Sequence, residues 1–277
     1  QLGSDIDGEA ADDESGYSVS LSANGTTVAI GARRNDGNGN SSGHTRIYSW
    51  NGTAWNQLGS DIDGEAANDF SGISISLSND GNTVAIGAHK NDGNGSKSGH
   101  ARIYNWDGTT WSQLGNDIDG EASDDESGFS VSLAGNGTVV AVSAHQNDGN
   151  GTNAGHTRIY TWNGTTWNQL GNDIDGEAAN DESGYSVAIS NDGNTVAIGA
   201  RLNDGNGTNS GQTRIYNWNG TTWSQLGSDI DGEASDDESG FSVSLSDDGT
   251  TVAIGARQND GNGTNSGHVR VFDLSAT

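Results

Sequence analysis

From Tyr17 to Ser22 apolar and polar residues alternate, with Tyr17, Val19 and Leu21 set against Ser18, Ser20 and Ser22. A period of two puts alternate side chains on one face of a strand. Asn24-Gly25 follows, a pair that tolerates positive φ and closes hairpins. Val28 to Ala32 reads as a second strand of small residues, and Arg33 to Gly43, rich in Asn, Asp, Gly and Ser, as a long loop. His44 to Trp50 is a third strand, Asn51-Gly52 a second hairpin turn, Ala54 to Gly59 a fourth strand, and Ser60 to Gly72 a linker. No segment carries helical periodicity.

The whole phrase then recurs, beginning at Gln1, Gln57, Gln113, Gln169 and Gln225, without insertion or deletion. A unit of this kind cannot bury its apolar face alone and stacks on its neighbours. Four short antiparallel strands per unit predict the blade of a β-propeller. The expectation is therefore an all-β fold in a single domain over 1–277, a five-bladed propeller of four-stranded antiparallel blades. The last copy stops at Thr277, which aligns with Thr53, just before the phrase would resume at Gln1. Gln1-Leu2-Gly3 is thus expected to pair with the C-terminal blade as its outer strand and close a monomeric ring; the alternative is a fragment of a longer array that closes with more blades, through association of chains.

Only 30% of residues are apolar and 44 are glycine, yet the apolar ones fall in regular β-branched and aromatic clusters, so a folded chain is expected. Cysteine is absent, which excludes a disulfide framework and a cysteine zinc site. Methionine is absent too, and the chain opens in mid-phrase, so a mature fragment or excised domain is expected. No apolar run is long enough to insert in a membrane. Eleven basic residues against 38 acids give a net charge of −27. Such a field opposes nucleic acid and anionic lipid and favours cations, calcium above all.

Because blade strands alternate in direction, the long loops and the linkers emerge on one face, and most of the acids go with them. Calcium takes six to eight oxygen ligands, and two loops per copy offer that chemistry. The first supplies Asp5, Asp7 and Glu9, repeated as Asp61, Asp63 and Glu65; Asp117, Asp119 and Glu121; Asp173, Asp175 and Glu177; and Asp229, Asp231 and Glu233. The second supplies Asp36 and Asn38, repeated as Asp92 and Asn94, Asp148 and Asn150, Asp204 and Asn206, and Asp260 and Asn262. At least one calcium per blade is expected. The alternative is that Asp, Asn and Gly only make turns by bonding their own backbone.

Arg46, Arg102, Arg158, Arg214 and Arg270 share one position and are expected to pair with a linker carboxylate such as Asp13. His44, His100, His156 and His268 share another, where the fourth copy has Gln212; one histidine per blade suggests a hydrogen-bonding role at a strand start. Tryptophans flank the outer hairpin in pairs, as Trp50 does with Trp55, so cross-strand packing is the first expectation. Trp50, Trp106, Trp162 and Trp218 are the alternative candidates for stacking on sugars.

The phrases SGYSVSL, TVAIGA and SGHTRIY resemble the FG-GAP repeat of integrin α-subunit propellers and their bacterial and fungal relatives, across all five copies. Two departures stand out. The family's Phe-Gly is Ser15-Gly16 here, and its Gly-Ala-Pro is Gly-Ala followed by Arg or His, with Ser-Ala in the third copy. The family's calcium loop belongs in the first hairpin, which here is only Ser22-Ala23-Asn24-Gly25-Thr26, so that site does not carry over. Every candidate acid, histidine and arginine recurs about once per copy, and nothing singles out a catalytic set. The resemblance implies a calcium-dependent binding or adhesion module without catalytic activity, extracellular or at the cell surface, taking a protein or glycan ligand on its acidic face. The alternatives are a multivalent carbohydrate-binding lectin and a purely structural or consensus-engineered scaffold.

Overall fold

The computed structural model describes residues 1–275; Thr277, on which the expected closure was aligned, lies outside them. The chain divides into two compact units, 1–138 with 162–167, and 139–161 with the residues from 168 onward. The third copy is shared between them.

In the first unit, the strands Ser15–Leu21, Thr27–Ala32, His44–Trp50 and Trp55–Gln57 follow one another across one antiparallel sheet. A two-residue strand, Ile62–Asp63, adds to the third. The second copy repeats this with Ser74–Leu77, Thr83–Ala88, His100–Trp106, Trp111–Gln113 and Ile118–Asp119. These are propeller-type blades. Their strands are those the alternation predicts, except that the fourth is shorter and the fifth had no signal in the sequence.

Register sorts the faces. Ala29 pairs with Ile47 while Val28 pairs with Tyr48, so the first pair shares one face and the second the other. Ala29 and Ile47 of the first copy bury against Ile62, Ile75, Leu77, Val84 and Ile86 of the second. Each side chain of this size stabilises by about 1.5–3 kcal/mol when fully buried. The two sheets come close enough for backbone to meet backbone. A Cβ on Gly31 would lie 2.2 Å from the carbonyl oxygen of Gly72, so only glycine fits there. Polar groups at the junction are paired across it. Ser18 Oγ donates to the Gly72 carbonyl at 2.7 Å, Leu77 N–H to Ser20 Oγ at 2.9 Å, and Ala23 N–H to the Asn79 carbonyl at 3.0 Å.

The second unit uses the same joint. The fourth copy forms a sheet from Ser183–Ile189, Thr195–Ala200, Gln212–Trp218 and Trp223–Gln225, with Ile230–Asp231 on the third strand. Its Ala197 and Ile215 pack with Val252, Ile254 and Leu274 of the fifth copy, and Ser186 Oγ donates to the Gly240 carbonyl at 2.8 Å. The fifth sheet has three strands, Ser239–Leu245, Thr251–Ala256 and His268–Asp273. Gln1-Leu2-Gly3, expected as its outer strand, is in no strand. The tryptophan pair of their own copy contacts these residues, as the equivalent pairs do at Leu58, Leu114 and Leu170. Trp55 Nε1 donates to the Leu2 carbonyl at 3.0 Å, and the Trp50 ring lies against Gly3.

Equivalent positions therefore differ in burial. Ile47→Ala is expected to cost about 2–5 kcal/mol, as for a filled core site. Val271→Ala, at the equivalent but exposed place in the fifth copy, should change stability by less than about 0.5 kcal/mol in dilute solution. Urea denaturation of the two variants checks the contrast.

Candidate metal centre

The third strand of each copy starts where the long loop ends and the next linker returns. In the first copy that residue is His44, whose backbone pairs with Ala32 on one side and Asp63 on the other. Its ring is 1% exposed. Nδ1 makes no hydrogen bond, and it faces Glu9 Oε2 at 3.7 Å and Asp61 Oδ2 at 3.9 Å. The second copy repeats the cluster, with His100 Nδ1 unbonded and 3.9 Å from both Glu65 Oε2 and Asp117 Oδ2. In each group the three donor atoms lie within 4.8 Å of one another.

Burial holds the His44 ring below the ordinary imidazole pKa, against the pull of Asp61 and Glu9. His100 is lowered further, to about 4, by burial and then by Arg102. Both are neutral at pH 7, so neither is a cation paired with its carboxylates. Burial also raises Glu65, opposed by Arg102. A buried polar atom without a partner is costly and calls for a ligand. One imidazole nitrogen and two carboxylate oxygens converging on a common point form a set that can hold a divalent metal. The supporting groups are in place. Gln57 Nε2 donates to Asp61 Oδ1 at 2.6 Å, and Arg46 Nη1 lies 3.7 Å from Glu9 Oε1.

The fourth copy shows the alternative solution. Gln212 stands where His44 stands, and its amide Nε2 donates to Glu177 Oε2 at 3.0 Å and to Asp231 Oδ1 at 3.4 Å. There the amide bonds Glu177, the equivalent of Glu9, and Asp231, the equivalent of Asp63 rather than of Asp61.

The sequence-predicted ligands are thus split. Glu9 and Asp61 join at one histidine although they belong to successive linkers, and Asp61 and Glu65 of a single linker face different histidines. The second predicted loop is a turn. Asp36, Asp92, Asp148, Asp204 and Asp260 each accept the backbone N–H five residues on. Asn38, Asn94, Asn150 and Asn206 donate to the Gly64, Gly120, Gly176 and Gly232 carbonyls, clamping the next linker. Asn262 N–H donates to Ser266 Oγ. Asp7, Asp63, Asp175 and Asp231 serve through their backbone carbonyls, which accept from Arg46, Arg102, Arg214 and Arg270. Arg46, Arg102 and Arg214 do face a linker carboxylate, but it is Glu9, Glu65 and Glu177 at 3.5–3.8 Å rather than Asp13, which is buried and accepts from Ala10 N–H and Asn35 Nδ2. Trp50, Trp106, Trp162 and Trp218 each pair with the hairpin's second tryptophan at 5.4–5.5 Å and cover Gly3, Gly59, Gly115 and Gly171.

Beside the first cluster lies an open cleft of about 340 Å³, lined by Ser60, Asp61, Ile62, Asp63, Tyr104, Thr110 and Trp111. Asp61 belongs to both cleft and cluster.

The model of the FG-GAP repeat matches residues 6–48, 61–104, 174–216 and 229–272. The chain belongs to the FG-GAP repeat family. No curated protein matches this FG-GAP chain significantly. Among solved structures it is similar to hydrazine synthase of Kuenenia stuttgartiensis, with 11% identity and a TM-score of 0.58, over 99% of this chain and 67% of the other. It is similar to the periplasmic gluconolactonase PpgL of Pseudomonas aeruginosa, with 12% identity and a TM-score of 0.55, over 86% and 64%. A candidate 6-phosphogluconolactonase of Bacteroides uniformis gives 11% identity and a TM-score of 0.54, over 93% and 80%. The chain spans about two thirds of the first two. At such identity the likeness is one of fold. It nevertheless corrects the expectation of a non-catalytic adhesion module, together with its lectin and scaffold alternatives, since the solved neighbours are named for enzymes.

The histidine shifts set a pH dependence. A folded-state pKa below the unfolded value means that the unfolded chain takes up protons first. The stability tied to His100 is complete above about 6.5 and is lost as pH falls towards about 4. Metal-free protein is expected to weaken through that window, and His100→Gln to flatten the slope. Denaturant titrations in EDTA at stepped pH measure it.

Proposed function

We propose that this FG-GAP chain is a divalent-metal-dependent hydrolase of small, oxygen-rich cyclic esters. The observation that carries the reading is the buried, unbonded Nδ1 of His44 and of His100, each facing two carboxylates. A nitrogen donor among two carboxylates suits manganese or zinc before calcium, which prefers an all-oxygen shell. When bound, such an ion polarises a carbonyl and makes its water acidic. Glu9, His44 and Asp61 would hold it, with Gln57 fixing the Asp61 carboxylate and Arg46 steadying Glu9. Tyr104 and Trp111 wall the adjoining cleft, where a flat, hydroxylated ring fits against aromatic surface. The lactone class is supported by two of the solved neighbours, which carry lactonase names.

The test uses metal-stripped protein titrated with Mn²⁺, Zn²⁺ and Ca²⁺. A ligand of the native state at a hundredfold excess over Kd adds about 2.7 kcal/mol, read as a rise in Tm. His44→Gln and His100→Gln install the residue the fourth copy already carries, so both variants should fold and each should take up one ion fewer. Acid release from δ-gluconolactone is expected to depend on metal and to drop about tenfold or more in the double variant. Metal uptake without hydrolysis removes the enzyme and keeps the site. No uptake of any of the three ions removes both.

A further inference from the structure

The first and last copies each leave bare a face that the interior copies bury. Val19 on the first strand of the first copy is 65% exposed, whereas its equivalent Ile75 is 8% exposed. Leu21 and Tyr17 are exposed beside it, while Leu77 and Ile73 are buried. In the fifth copy Val271 is 65% exposed, whereas its equivalent Ile215 is 1% exposed, and Val269 is bare beside it.

These surfaces are the two complementary halves of one joint. The front face of the second copy, with Ile75 and Leu77, packs on the back face of the first, with Ala29 and Ile47. Tyr17, Val19 and Leu21 form an exposed front face, and Val269 and Val271, beside half-buried Ala253, an exposed back face. The glycines agree independently. Gly31 and Gly72 meet at the interior joint, but Gly16, the equivalent of Gly72, has nothing near the place of its Cβ. Gly255, the equivalent of Gly31, meets only Ser242 of its own copy.

We infer that the occupant of each face is a second copy of this chain, bound head to tail, front face of one to back face of the other. The fit follows from continuity with the established joint, since what covers a front face within the chain is a back face of this same repeat. Such an interface is heterologous and leaves a free face at each end, so it propagates until a ring closes. The net charge of −27 opposes association. Salt screens that repulsion, with a Debye length of about 8 Å at physiological ionic strength, so assembly strengthens as salt is added.

Sedimentation velocity of the whole chain over a concentration series, at low and high salt, tests the inference. The wild type is expected to grow with concentration, more so at high salt. Val19→Asp spoils only the front face and Val271→Asp only the back. Both sites are exposed, so an unchanged Tm certifies folding. Each variant alone should remain monomeric, and an equimolar mixture should form a dimer and nothing larger, because only one good face of each kind remains. A wild type that stays monomeric throughout overturns the inference and leaves the faces bare or covering each other within one chain. Association that survives in either variant alone, or a mixture that stays monomeric, overturns it as well.

Discussion

The joint between successive copies carries the rest of this structure. A single blade of this sequence has two apolar faces and no means to bury either. It is stabilised by laying Ile75 and Leu77 of one sheet over Ala29 and Ile47 of another. The spacing of that joint is set by backbone, since Gly31 and Gly72 approach more closely than any side chain allows. Small residues in the second strand follow from that spacing. So does the burial of the third strand's first residue, which lies under the returning linker and becomes the dry centre of the Glu–His–Asp cluster.

The elements were legible because period-two alternation and Asn-Gly turns are local signals, and five near-identical copies repeat them. What escaped depended on partners distant in sequence. Asp61 and Glu65 read as one acidic loop, yet the linker is extended enough for them to face different histidines. Asp13 looked like the partner of Arg46, but it is spent inside its own linker and on Asn35. Counting residues placed Gln1 in the fifth sheet as Gln57 is placed in the first, yet only Gln57 is in a strand, although Leu2 and Leu58 accept the same indole hydrogen bond. The histidines were undervalued because a one-per-copy tally ignores the acids that successive linkers bring to each.

Electrostatics also changes meaning once the fold is known. The acidic excess suggested cations bound in open loops, but the second predicted loop spends its aspartates on backbone N–H groups and keeps them in turns. The informative position is the buried neutral one. A ring that is uncharged at pH 7 and without a hydrogen-bond partner says more about chemistry than many solvated carboxylates do.

Gln212 shows that an amide bonded to Glu177 and Asp231 can replace the imidazole while the strand it begins keeps its ladder intact. Framework and chemistry are therefore inherited separately in this array. Duplication sets how many positions exist, and a single codon at the start of the third strand sets whether a given position carries an imidazole or an amide. An array of this kind can drift in the number of its working positions without any change in length, register or fold.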